Sequence, residues 1–221
     1  MVGTDIMEIE VSPRLKRLMG LLPPKAKNNL LLFSMVGWSI LDGIVNGILT
    51  YRDGAIVEIG MGASSFIFAK YCQESNLSLH SCDLVMGGIF EAFEEPLFEQ
   101  HHCFIGTSKD FIEQFEGDPL IVFIDGDHTY ETIKMEGDFF LDKLQVGGVC
   151  LFHDMVPPSE EWLSSERCGD VWKYRKELEA NPDLDVLTFP YGAIDVGLTM
   201  VMKHPKNTDR HDWLKNGRLD S

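Results

Sequence analysis

The chain has 221 residues, enough for one domain with a modest extension, and at 44% hydrophobic and 24% charged residues it can bury a full core. Its formal net charge of −16 sets it against phosphate backbones and anionic lipid, so nucleic acid and membrane surfaces are excluded as expected partners. The five cysteines, Cys72, Cys82, Cys103, Cys150 and Cys168, are odd in number and lack metal-ligand spacing. No disulfide framework is expected, and the compartment reads as reducing.

The chain opens without a basic–apolar signal pattern and has no apolar run long enough to span a bilayer, so the expected location is cytoplasmic. Residues 1–24 are mixed, broken by Pro13, Pro23 and Pro24. From Lys25 to Thr50 the pattern is helical, with Ile40, Leu41, Ile44, Val45, Ile48 and Leu49 on one stripe. Arg52-Asp53-Gly54 reads as a turn. "AIVEIG" is a short apolar strand and "SSFIFAKYCQES" a helix after it. "LSLHSCDL", "HHCFIGTS", "PLIVFIDGD" and "GGVCLFHD" follow as strands two to five. Between the fourth and fifth, Tyr130–Leu144 sets Ile133, Gly137, Phe140, Leu141 and Leu144 on one helical face. "LDVLTFPYG" and "GLTMVMK" close the pattern as an antiparallel pair.

Strands alternating with helices predict an α/β fold of Rossmann-like, doubly wound type. Its strands are mostly parallel, as the continuous apolar runs "IVFI" and "VCLF" require. In such sheets ligands bind beyond the carboxyl ends of the strands. These strands end on polar chemistry: Glu58 to Gly62, Asp83, Thr107-Ser108, Asp125-Gly126-Asp127-His128, and His153-Asp154.

In "EIGMGASS", Gly60 and Gly62 suit a tight turn with close approach to a ligand. Ser64 and Ser65 suit a helix start. Ser65 stands where a dinucleotide fingerprint wants glycine, and no Gly-Lys-Ser/Thr phosphate loop is present. Glu58 would repel a pyrophosphate and welcome a cation. Asp83, ending the next strand, stands where an acid grips ribose hydroxyls. The ligand implied has a ribose, a positive group and no phosphate, which describes S-adenosylmethionine. Thr107 and Ser108 suit adenine contact or a helix cap. Asp125 reads as a ligand or cofactor contact. Asp127 suits adenosine contact, a base or a helix cap. His128 suits a general base, because imidazole titrates near neutrality, or a bond to a loop carbonyl. Trp38 and Trp172 suit either an acceptor pocket or the core.

"VEIGMGASS", "CDL", "GTS", "FIDGDHTYE" and "LQVGGVCLFHDM", in this order, resemble class I S-adenosylmethionine-dependent methyltransferases. More narrowly they resemble small-molecule O-methyltransferases of the macrocin type and, more distantly, the catechol and caffeoyl-CoA types. The resemblance covers about residues 54 to 202. It implies a seven-stranded sheet whose last two strands are antiparallel. It also implies a division into residues 1–53 as a helical extension or lid, 54–204 as the S-adenosylmethionine-binding methyltransferase domain and 205–221 as a polar tail.

The resemblance implies a divalent metal, Mg²⁺ or another, on Asp125 and Asp154. The third ligand departs from the pattern. Met155 stands where the catechol branch has Asn, and His153 where the sugar branch often has an acid. An imidazole favours metals more tolerant of nitrogen than Mg²⁺. His153 otherwise reads as a packing residue or a partner of the ligands. The expected activity is methylation of a hydroxyl on a small-molecule acceptor, a sugar or natural product, with His128 or Asp127 as base. Metal-independent methylation, a nicotinamide-dependent oxidoreductase and a non-catalytic adenosine-ligand sensor are the alternatives. A homodimer is compatible with the sequence.

Overall fold

The structure, a computed structural model, describes residues 35–50, 52–86, 95–190 and 196–203. The expectations for residues 1–34 and for the tail from 204 onward lie outside those residues.

The elements run in chain order as α1 (Met35–Leu49), β1 (Ile56–Ile59), α2 (Ala63–Ser75), β2 (Leu79–Asp83), β3 (His101–Ile105), α3 (Ser108–Gln114), β4 (Ile121–Ile124), α4 (Tyr130–Lys143), β5 (Val149–His153), a 3₁₀ turn (Glu160–Leu163), α5 (Trp172–Ala180), β6 (Leu184–Phe189) and β7 (Leu198–Lys203). The strands form one seven-stranded sheet in the order β3-β2-β1-β4-β5-β7-β6. β1 to β5 pair in parallel. β7 inserts between β5 and β6, antiparallel to both. The expected doubly wound architecture with an antiparallel C-terminal pair is therefore the observed one. Strand order reverses between β1 and β4, the position at which this topology opens a crevice.

β1 and β4 are buried at all four positions, so both faces must be apolar. Alternation along each strand divides them. Ile56, Leu79, Ile121, Phe123 and Leu151 pack with Trp38, Leu41, Val45, Ile67, Phe68 and Tyr71 of α1 and α2. Val57, Ile59, Val122, Ile124, Cys150 and Phe152 pack with Phe111, Ile133, Phe140, Tyr174 and Leu178 of α3, α4 and α5. A fully buried ring such as Phe123 contributes about 3–5 kcal/mol by comparison with alanine. α1 is further tied to α2 by the Tyr71 hydroxyl, which donates to the Asp42 carboxylate. α2 ends at Asn76, whose left-handed φ of 54° breaks the helix and turns the chain into β2. Gly137 on α4 lets Tyr174 of α5 pack against its backbone, since a Cβ there would meet the Tyr174 hydroxyl at 2.6 Å. All five cysteines are free thiols. No helix among the described residues is long and apolar enough to cross a membrane.

Candidate active site

The carboxyl ends of β1, β2, β3, β4 and β5 open on one cavity of about 880 Å³. Alternation along the strands decides which side chains reach it. Asp83 shares the face of Leu79 and Ser81. Asp125 shares that of Ile121 and Phe123, and His153 that of Val149 and Leu151. The three therefore stand in a row past the sheet, on the side covered by α1 and α2. All three line the cavity, with Trp38 from α1.

The β1–α2 loop forms the floor. Gly60 has φ +92°, and a Cβ there would collide with the Asp125 carbonyl oxygen. Only glycine lets β1 and β4 close up at this height. The Met61 N–H donates to Asp83 Oδ2 at 2.7 Å, fixing the loop to the end of β2. Gly60, Gly62 and Ser64 line the cavity, as do Thr107 and Ser108 across from them. Thr107 is also the N-cap of α3, accepting from the Asp110 N–H at 3.1 Å.

Glu58 and Ser65 stand elsewhere than expected. Glu58 shares the face of Ile56, which α2 covers, and its side chain is completely buried behind the loop. Its oxygens accept from the hydroxyls of Ser64 (2.5 Å), Ser65 (2.7 Å) and Ser81 (2.9 Å). Neither Glu58 nor Ser65 borders the cavity. Burial pushes the Glu58 carboxyl up to about 7, against the pull of the three hydroxyls. The network continues outward. Ser81 Oγ lies 3.0 Å from His101 Nε2, and His101 Nδ1 accepts from the Leu97 N–H at 3.0 Å. An accepting Nδ1 puts the ring proton on Nε2, which donates to Ser81. Glu58 thus ties β1, α2, β2 and β3 together.

At the opposite end two carboxylates meet two imidazoles. His153 Nδ1 lies 3.1 Å from both Asp125 Oδ1 and Asp154 Oδ2. His128 Nε2 lies 3.0 Å from Asp154 Oδ2. Burial opposes charge on both rings, but the carboxylates outweigh it and raise both, His153 well above the ordinary imidazole range. Burial likewise opposes charge on Asp154, and the two imidazoles overcome it to hold the carboxyl well below its ordinary value. Cys168 Sγ approaches Asp154 Oδ1 at 3.7 Å. Asp154 itself has φ +62°, a left-handed conformation that costs about 1–3 kcal/mol in a residue with a Cβ. The surrounding contacts hold it there. His128 is placed by its backbone. Its carbonyl accepts from the Asp170 N–H at 3.3 Å, Asp170 Oδ1 accepts from the Tyr130 N–H at 2.6 Å, and a Cβ at Gly169 would collide with that carbonyl.

Asp125, His128 and Asp154 each offer one atom within 4.8 Å of the others, a spacing that can hold a metal ion. His128 joins the two acids in this cluster, while His153 spans them. Asp127 lies on the cavity wall but is turned to α4, where Oδ2 accepts from Thr129 (3.1 Å) and Thr132 (2.8 Å). Trp172 carries Lys176 over its ring at 4.4 Å and is not part of the cavity wall. Four contributors escaped the sequence reading. Trp162 and Glu166 line the outer wall beside Asp154, Cys168 backs Asp154, and Glu136 of α4 borders the cavity. The first three lie between β5 and α5, in and after the short 3₁₀ turn, where no apolar periodicity marks them. Glu136 did carry a signal, an acid within the apolar stripe of Ile133, Gly137 and Phe140.

Residues 57–155 match a family described as a methyltransferase domain. The match runs from β1 to just past Asp154 and so spans the cavity floor and its polar strand ends. No curated protein sequence matches the chain. Among solved structures, the SAH-bound methyltransferase PaMTH1 of Podospora anserina is similar at a TM-score of 0.61 and 16% identity, with 88% of this chain and 89% of that one covered. An O-methyltransferase from Bacillus cereus in complex with SAH is similar at 0.57 and 14%, covering 90% and 94%. MycE methyltransferase from the mycinamycin biosynthetic pathway, in complex with Mg, SAH and mycinamycin VI, is similar at 0.57 and 14%, covering 85% and 56%. At these identities the likeness establishes the fold. Sheet order, glycine loop and polar strand ends are those of the class I methyltransferase fold, and the part of the chain that matches the methyltransferase domain lies within it.

Proposed function

We propose that the protein is an S-adenosylmethionine-dependent O-methyltransferase acting on a hydroxyl of a small molecule such as a sugar or natural product. One observation carries this reading: a single cavity holds Asp83 beside the glycine loop and, across it, the centre of Asp125, His128, His153 and Asp154. The first group suits a ribose and a sulfonium-bearing chain. The second suits an acceptor hydroxyl that must lose a proton. A cavity of about 880 Å³ lies within the usual range for ligand sites and accommodates both molecules. The SAH complexes of the similar structures agree with this cofactor. Holding the methyl donor and the acceptor oxygen in line lowers the barrier by making the transfer effectively unimolecular.

In this reading His128 takes the acceptor proton, and Asp154, 3.0 Å away, stabilises the imidazolium that forms. The close cluster of Asp125, His128 and Asp154 supports a second reading of the same centre. Two carboxylates and an imidazole fit a divalent ion that tolerates nitrogen, such as Mn²⁺, Fe²⁺ or Zn²⁺, better than Mg²⁺. The MycE complex contains Mg. When bound, such an ion would lower the pKa of a hydroxyl it touches. His128 would then be a ligand, and the base would be Asp127 or solvent. The free thiols support a reducing compartment, the cytoplasm.

The test is turnover with S-adenosylmethionine over a panel of sugar, phenol and alcohol acceptors, with amine and thiol acceptors beside them, each with and without EDTA. Formation of S-adenosylhomocysteine that depends on an added hydroxyl supports O-methylation. Full activity after EDTA supports His128 as base; loss restored by Mn²⁺ supports the metal reading. No turnover on any hydroxyl, with turnover on an amine or thiol, overturns the O-methyl assignment.

A further inference from the structure

Glu136 sits on the inward stripe of α4 beside Ile133 and Phe140, and its side chain is completely buried. Neither carboxyl oxygen has a hydrogen-bond partner among the described residues. The Ser108 hydroxyl is near enough to favour the ionised form but not in hydrogen-bond geometry. An unpartnered buried carboxyl is costly, and a leucine at this place in the stripe would remove the cost. Glu136 nevertheless borders the cavity, on the side bounded by Cys82, Asp83, Thr107 and Ser108.

That side has a defined chemistry. α4 packs on α3, whose first residue is Ser108, and β3 lies outside β2 in the sheet. A nucleoside whose ribose rests on Asp83 at the end of β2 therefore has two directions available. One leads back over the glycine loop toward Asp125, where the sulfonium chain must lie to reach the acceptor. The other leads to the end of β3, Ser108 and Glu136, and the base must take it.

We propose that Glu136 reads the 6-amino edge of the cofactor's adenine ring, accepting its exocyclic N–H. This inference rests on the S-adenosylmethionine reading of the cavity. Adenine presents an N–H donor beside a ring-nitrogen acceptor. A carboxylate satisfies the first, and a protonated carboxyl satisfies both, as an amide side chain does for adenine in DNA. Burial pushes this carboxyl up to about 7, so both forms are accessible at neutral pH. The ligand completes a buried carboxyl that the described residues leave without a hydrogen-bond partner.

The test is a calorimetric comparison of S-adenosylhomocysteine with its 6-deamino analogue, which carries purine in place of adenine, on the full chain. Wild type should prefer the amino compound by roughly 10–100-fold, the range for a hydrogen bond to a charged group. E136L, which removes a buried charge and should fold, should bind the two ligands within about threefold of each other. E136Q, whose amide oxygen still accepts, should keep a preference of roughly 3–10-fold, the worth of a neutral hydrogen bond. Equal affinity of the two ligands for wild type, or a wild-type preference retained in E136L, overturns the role of Glu136 and leaves the cofactor reading standing. Failure of wild type to bind either ligand overturns the cofactor reading itself.

Discussion

His128 Nε2 lies 3.0 Å from Asp154 Oδ2, although 26 positions of chain separate the two residues and they follow different strands. The contact exists because β4 and β5 are parallel neighbours whose ends fall level: Ile124 pairs with Phe152, and each chain then turns its polar residues over the same edge. A buried carboxylate set against an imidazole can hold the charge that proton removal creates.

If His128 is the base, its replacement by alanine should lower kcat by about 10²–10⁴-fold, the usual worth of general-base catalysis, with little change in cofactor affinity. Steady-state kinetics on the true acceptor, with cofactor binding measured separately, checks this. A wild-type rate in H128A would move the base to Asp127.

Asp83 should govern cofactor affinity rather than rate. Asp83→Ala should weaken binding of S-adenosylhomocysteine by roughly 10–100-fold through loss of charge-assisted hydrogen bonds to the ribose. Because Asp83 also accepts from the Met61 N–H at 2.7 Å, Asp83→Asn is the control that keeps an acceptor for the loop. Titration calorimetry should rank wild type above the Asn variant and the Asn above the Ala variant.

The fold was legible because its signals are local. Short apolar runs that stop on Asp83, Asp125 or His153 announce parallel strands and the end of the sheet that carries the chemistry. The partners of those residues were not legible. Glu58 read as a ligand-facing acid because it precedes two glycines. Its real surroundings come from Ser64, Ser65 and Ser81, on a helix and a strand that packing alone brings together. Whether a strand residue points to a cavity or under a helix depends on where the covering helix ends, which periodicity does not encode. The same applies to His153 and His128: both were candidates, but which one spans the acids and which joins them in a cluster is decided across strands. Cys168 reaches Asp154 from an irregular segment.

Glu58 should leave a mark on stability. Its folded value of about 7 lies above the ordinary 4.5. Below about pH 4.5 both states hold the proton and Glu58 contributes no difference. As pH rises toward 7 the unfolded chain ionises first, so the folded state becomes less favoured, by roughly 3 kcal/mol once both are ionised. Denaturation of wild type and Glu58→Gln across pH 5 to 8 should show the variant gaining relative stability with rising pH. A constant difference would mean that Glu58 is ionised throughout.

Gly60→Ala should be destabilising by more than about 1 kcal/mol, because alanine is strained at φ +92° and its Cβ would strike the Asp125 carbonyl. Thermal melts should fall, and S-adenosylhomocysteine affinity should fall with them as the floor between β1 and β4 is forced apart. Gly43 on α1, with open space around its Cβ, supplies the contrast: Gly43→Ala should hold or raise stability through helix propensity.

The most direct measurement is calorimetric titration of the full chain with S-adenosylhomocysteine, set beside the same titration with reduced nicotinamide dinucleotide. The account predicts saturable binding of S-adenosylhomocysteine at one site per chain, weakened in Asp83→Ala, and no binding of the dinucleotide, whose pyrophosphate finds no cradle in the loop from Gly60 to Ser65. Saturable binding of the dinucleotide without binding of S-adenosylhomocysteine would contradict it.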